Sequence, residues 1–173
     1  MSGYALFINR NDIIKQTPLQ GAIDADALLP FMRVSQDKYL KNLLGTVLFD
    51  FLQLRITAGN VDTLSVYYKD LLNDHIKNTL IWYACVEYIP FSAIQFKSNG
   101  AVKQTSEQGT SPSKSEIDYL KQQAQSNADY YALRLQNYLI AYSQEIPQYL
   151  ESVGNTTQIY PDQQNQFFSG IQL

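Results

Sequence analysis

One apolar stripe in the second half of the chain constrains the fold more than any other feature. Its members recur at spacings of three and four over about seven helical turns; they are Ile117, Leu120, Ala124, Ala128, Tyr131, Leu135, Tyr138 and Tyr142. Ser113 stands three residues before Glu116, which is the spacing of an N-terminal capping box. The pattern predicts a long helix that starts after Ser113, buries one face and ends by Pro147.

Two further helices are predicted upstream of this stripe. Apolar residues at helical spacing cover residues 25–56, and Gly45 in their midst marks either a kink or a true break between two helices. A second pattern covers residues 63–91 and is apolar on all sides from Leu80 onward, as in a helix buried on most of its surface. Pro90 is expected to bend or end that helix.

The remaining segments predict a hairpin and two arms. Asn99-Gly100 lies between short alternating flanks inside a polar stretch, residues 95–112, and predicts a two-residue β-hairpin turn. Residues 1–23 lack a helical period apart from one turn near Asp12, and residues 151–173 are rich in Gln, Asn and Thr. We therefore expect an all-α fold: an antiparallel bundle of about four helices over residues 24–150. A β-hairpin insertion lies between the two longest helices, and extended N- and C-terminal arms flank the bundle.

The residues that carry chemistry in enzymes are sparse in this chain. His75 is the single histidine and Cys85 the single cysteine, so neither a His pair nor a disulfide within the chain can form. No glycine-rich phosphate loop precedes a predicted helix. A carboxylate metal site from Asp70, Asp74 and Glu87 is the weakest hypothesis, because the 17 residues between Asp70 and Glu87 span roughly 25 Å of helix. We expect no enzyme, no metal and no cofactor, and we expect Glu87 to pair with a Lys or Arg.

Charge and hydropathy indicate which partners to expect. The net charge of −3 argues against a general electrostatic grip on nucleic acid. No segment has the pattern of a signal peptide or a membrane span, so a soluble, intracellular protein is expected.

Apolar residues outside the predicted core, together with the Asn-Gly pair of the hairpin, are candidates for contacts with partners. They lie in the N-terminal arm, the hairpin and the tail, which are segments suited to reach another subunit. The candidates are Phe7, Ile8, Phe96, Asn99, Gly100, Val102, Tyr160, Phe167 and Phe168.

Several motifs in order along the chain resemble one family. They read Gln36-x-x-Tyr39-Leu40-x-x-Leu43-Leu44-Gly45-x-x-Leu48-Phe49-x-x-Leu52, Ala84-x-x-Glu87-x-Ile89-Pro90, Asn99-Gly100-Ala101-Val102, Ser113-x-x-Glu116-Ile117 and the segment from Leu139 to Tyr149. Over about residues 5–150 the chain resembles the head–tail connector (adaptor) proteins of tailed bacteriophages, especially those of Bacteroidetes hosts.

The resemblance implies a structural virion protein of the phage neck, assembled in the host cytoplasm. It implies a homo-oligomeric ring, usually a dodecamer, beneath the portal protein, with DNA only as passing cargo and with other neck or tail proteins docked below. No membrane contact is implied. The alternative is a monomeric helical module that sequesters a host or phage protein.

Overall fold

A computed structural model describes residues 4–19, 25–92, 94–97, 100–103, 112–151 and 159–162. Its α-helices are α1 (Arg10–Gln16), α2 (Ala25–Ser35), α3 (Lys41–Thr57), α4 (Val66–Asp70), α5 (Lys77–Ser92) and α6 (Lys114–Ala141). π-helical turns at Gln36–Leu40 and Leu71–Ile76 join α2 to α3 and α4 to α5, and short 3₁₀ turns cover Val61–Thr63 and Pro147–Tyr149. The expectation of an all-helical fold is confirmed.

Two short strands follow α5. β1 (Ile94–Lys97) pairs antiparallel with β2 (Gly100–Lys103), and Gly100 lies opposite Lys97. Gly100 therefore begins the second strand, whereas the Asn99-Gly100 pair predicted that it lies in the turn. Asn99 lies outside the described residues.

The helix boundaries follow from local capping. Ser113 and Glu116 form the predicted capping box at the start of α6, and Asn9 and Asp12 form a second one at the start of α1. Each box satisfies backbone N–H groups that have no partner within the helix. The capping signal of α6 was read correctly from the sequence.

The long helices run antiparallel, as their ring contacts show. Tyr67 of α4 contacts Tyr142, which follows α6, and His75, in the π-helical turn before α5, contacts Tyr138 of α6. The residue number thus rises along the first segment as it falls along α6. Tyr39, in the π turn after α2, stacks on Tyr83 of α5 with ring centroids 3.9 Å apart. α5 therefore lies between α2 and α6, which accounts for its apolar character on all sides.

The core combines residues from all the long helices. Its large, fully buried side chains include Ile13, Leu28, Leu40, Leu44, Leu48, Leu52, Leu71, Ile76, Leu80, Ile81, Leu135 and Tyr149. On α6 the predicted stripe is buried at Ala124, Ala128 and Leu135. Leu120 and Tyr142, at its two ends, are exposed, because the bundle covers only the middle of this long helix.

Candidate interaction surface

The N-terminal arm is bound to the chain's own bundle by two glutamine side chains. Gln36 donates to the Ala5 carbonyl at 2.9 Å and accepts from the Phe7 backbone N–H at 3.0 Å. Gln53 donates to the same carbonyl at 2.7 Å and accepts from the Ala5 N–H at 2.8 Å. The two amides hold the arm as a neighbouring β-strand would, but with side chains in place of backbone.

This docking corrects the prediction for Phe7 and Ile8. Both side chains are buried in the chain's own core, and Phe7 packs on Phe49 with ring centroids 5.6 Å apart. The arm completes the core, which explains why apolar residues occur there outside a helix. Because Phe7 and Ile8 are buried in this way, they are not free to bind a partner.

A second docked segment meets α3 at Gly45. This glycine has φ +75° and ψ 163°, non-helical angles at which two helical stretches of α3 meet in a kink, and we call this interruption the Gly45 break. At an ordinary helical position the Thr46 N–H would bond to the Asn42 carbonyl four residues back. Here the Thr46 N–H donates to the Ile159 carbonyl, and the Asn42 carbonyl accepts from the Asp162 N–H, both at 2.9 Å.

Side chains complete this contact, which we call the tail dock and define as residues 159–162 seated at the Gly45 break. The Ile159 N–H donates to the Thr46 hydroxyl at 2.9 Å, and Gln136 of α6 donates to the Asp162 carbonyl at 2.9 Å. Pro161 is buried against Gly45: a Cβ on that glycine would come within 2.7 Å of the Pro161 ring. The site thus requires glycine for its backbone angle and for its space.

The tail dock is weak by its own energetics. Four hydrogen bonds contribute about 1 kcal/mol each, or about 4 kcal/mol in all. Fixing the backbone of four residues costs roughly 4–8 kcal/mol, and the burial of Pro161 offsets part of the difference. Ile159 and Tyr160 add little, because their side chains remain 40% and 50% exposed. Of the tail residues predicted to bind partners, Tyr160 is thus at the surface, whereas Phe167 and Phe168 lie outside the described residues.

The outward side of α6 carries four exposed apolar or aromatic side chains, which we call the outer stripe, and Gln122, Ser126 and Asn137 lie in the same arc. Its members Tyr119, Tyr130, Leu133 and Ile140 are spaced 11, 3 and 7 residues apart. At 100° per residue they fall within an arc of about 80°, and Tyr119 points directly opposite buried Ala128. All four are exposed, from 37% for Leu133 to 61% for Tyr119.

The outer stripe also has few charges. Between Tyr119 and Ala141, Arg134 is the one charged residue within about 60° of the Tyr119 direction. Its guanidinium lies 3.2 Å from the Tyr130 hydroxyl. The outward side of a helix in a monomeric protein is usually polar and charged, whereas the centre of a protein interface is apolar and depleted in charge.

The helical start of α6 adds to the exposed surface. Nearly all side chains from Lys114 to Gln123 are exposed, and Ile117 alone among them is half-buried. Ten residues correspond to roughly 15 Å of helix. On the same end of the bundle lie the end of α5, with exposed Phe91, and the two strands. Phe96, Gly100 and Val102, predicted to bind partners, lie on these strands.

Glu87 links α5 to the π-helical turn that follows α2. Glu87 accepts from Lys38 at 2.8 Å and from the Tyr39 hydroxyl at 2.6 Å, so its predicted pairing with a basic residue is confirmed. Burial alone would raise the pKa of Glu87, but these two hydrogen bonds outweigh it, and the pKa is lowered. Among the described residues, no group of three or more His, Cys, Asp or Glu side chains could hold a metal ion.

His75 and Cys85 occupy structural positions. The His75 ring packs on Tyr138, and burial, helped by Arg134, lowers its pKa against the opposing pull of Asp74 and Asp70. Cys85 is buried, as predicted, and burial raises the pKa of its thiol to about 12. A thiol with such a pKa stays protonated at neutral pH and is a poor nucleophile.

No helix in the described part of the chain has the length and apolar character needed to cross a membrane.

Comparison with known proteins gives one assignment. Comparisons with curated proteins and with solved structures returned no match. Residues 40–159, more than two thirds of the chain, match a family described as "Family of unknown function (DUF6712)". The matched range runs from the turn before α3 to the first residue of the tail dock, and on this evidence the chain belongs to the DUF6712 family.

Proposed function

We propose that this chain is a structural subunit of a phage head–tail connector, which forms a ring by packing against copies of itself beneath the portal protein. The motifs that resemble those of connector proteins support the place in the phage neck. The hairpin and the exposed first part of α6, from Lys114 to Gln123, are then the segments that contact neighbouring proteins. The function is mechanical: the subunit holds a channel open and gives tail proteins a platform.

The outer stripe carries this proposal. α6 already buries one face in its own bundle, with small residues at Ala124, Ala128 and Ala132. The outer stripe on the opposite side is not needed for folding of the single chain and exposes large side chains to water. Packing the stripe against a second copy removes that exposed apolar area, at roughly 25 cal/mol per Å². Each subunit of a ring contacts its neighbours through two different surfaces, and in this proposal the outer stripe is one of the two.

The test compares two substitutions that place a carboxylate on exposed leucines. Leu133→Asp puts a charge in the outer stripe, whereas Leu54→Asp puts one on α3, where the leucine is 64% exposed. Native mass spectrometry and sedimentation of the full chain, alone and with the portal protein of its phage, measure assembly. We expect Leu133→Asp to weaken assembly at least about tenfold, the effect of losing one interface side chain worth about 1.4 kcal/mol. Leu54→Asp should assemble normally.

Two results would count against the proposal. Equal assembly of both variants would show that the outer stripe is not the contact. A chain that stays monomeric at all concentrations and with the portal protein, but co-purifies one-to-one with a host protein, would favour the sequestering module.

A further inference from the structure

The tail dock has the properties of a binding site for a peptide segment. The Gly45 break leaves a backbone acceptor at Asn42 and a backbone donor at Thr46 without their helical partners, and a segment running antiparallel to α3 supplies both. Pro161 fills the space that the missing Cβ of Gly45 leaves. Recognition therefore depends on backbone hydrogen bonds and on a proline at the third position of the segment, and not on charge.

We infer that this site receives residues 159–162 of a second copy of the chain, so that neighbouring subunits exchange their tails. The inference rests on the self-packing proposed above for the outer stripe. An exchanged segment makes the same hydrogen bonds to a neighbour as to its own chain, so the exchange requires no new contact.

The position of the site favours a neighbouring copy. Gln136, which holds the Asp162 carbonyl, stands three residues after Leu133 and four before Ile140 on α6, so the tail dock borders the outer stripe. A copy packed on that stripe lies next to the site. The exposed Ile159 and Tyr160 side chains then sit where a neighbour covers them.

The covalent connection permits the exchange. Eight peptide links separate Glu151 from Ile159, which allows a span of up to about 27 Å. Packed helix axes are 8–10 Å apart. A connection of this length can therefore reach across one helix–helix contact.

The experiment uses two full-length copies of different mass, each with one added cysteine. One copy carries Asn42→Cys and the other Asp162→Cys; their backbone atoms bond at 2.9 Å, and that bond does not use the substituted side chains. Cys85 is buried and does not compete. A short thiol–thiol cross-linker is added to the mixture, and a single chain carrying both cysteines reports the contact within one copy. Native mass spectra of the same samples report the oligomeric state.

We expect a cross-linked product of mixed mass. It should disappear when Gly45→Ala is added to the Asn42→Cys copy and persist when Gly59→Ala is added, because Gly59 also has positive φ but nothing near its Cβ position. Cross-linking only within the doubly substituted chain would overturn the exchange, and an oligomer in the native spectrum would then leave the proposed function standing. A mixed product that survives Leu133→Asp would support the exchange and count against the outer stripe.

Discussion

Replacing Gly45 with alanine tests directly whether the tail dock requires a glycine at this position. The φ of +75° with ψ of 163° is a region that residues with a Cβ rarely adopt, and holding alanine there costs of order 1–3 kcal/mol. In addition, the new Cβ would meet the Pro161 ring at 2.7 and 2.8 Å, closer than carbon atoms pack. The tail must therefore leave the site or α3 must shift.

Gly59→Ala is the matched control for this substitution. Gly59 has φ +67°, so alanine also pays for a left-handed backbone there, about 1–2 kcal/mol. No atom lies within 4 Å of its Cβ position. Gly59→Ala therefore tests a positive φ without a clash with the tail, and the protection of the Asp162 amide distinguishes the two variants.

The assay combines urea unfolding with amide hydrogen exchange. We expect Gly45→Ala to lower the free energy of unfolding by about 1–2 kcal/mol more than Gly59→Ala does. The amide of Asp162 should lose its protection in Gly45→Ala alone, because its acceptor is the Asn42 carbonyl. Equal losses of stability in both variants, with the Asp162 amide still protected, would show that binding of Pro161 does not require the space left by the missing Cβ of Gly45.

Two further predictions concern the arm and pH. Gln36→Ala should cost about 3 kcal/mol in urea unfolding, because it leaves the buried Phe7 N–H without its partner, whereas Gln53→Ala, at a half-buried position, should cost about 1 kcal/mol; equal losses would contradict this. His75 has a lowered pKa in the folded chain, so the unfolded chain binds its proton more readily, and stability should fall as pH drops from about 7.5 to 5.5. In His75→Gln that slope should flatten, since the chain has no other histidine; an unchanged slope would assign the effect elsewhere.

The parts of the fold that depend on local signals were predictable from sequence. The start of α6 follows from Ser113 and Glu116, three residues apart, and the buried middle of that helix follows from its periodic apolar residues. The one-turn helix of the arm was also expected, and α1 occupies that place. In each case the interacting residues lie within a few positions of one another, where spacing is informative.

Contacts between distant segments were not predictable in this way. The tail dock joins Thr46 to Ile159, which are 113 residues apart, and it does so mainly through backbone atoms that carry no sequence signal. The arm was misread for a related reason. Phe7 looks the same in sequence whether it completes its own core or binds a partner, and the decisive glutamines lie 29 and more residues away.

The outer stripe could have been found from sequence. Tyr119, Tyr130, Leu133 and Ile140 stand at spacings that place them on one side of a helix. The stripe predicted from Ile117 to Tyr142 accounts for one face of α6, and these four residues fall outside it. A helix of this length needs each face examined separately, because its two sides can have different partners.

The break at Gly45 also has a consequence for the order of events during synthesis. Asp162 follows Gly45 by 117 positions, so at about 5–20 residues per second a ribosome needs roughly 6–23 s to produce it. During that interval α3 is already translated, and its Asn42 carbonyl and Thr46 N–H are free to bond to each other as in an uninterrupted helix. A nascent chain can thus carry a straight α3, which opens at the glycine only after residues 159–162 have been made. Stalled chains that end before Asp162 provide a way to observe that straight form.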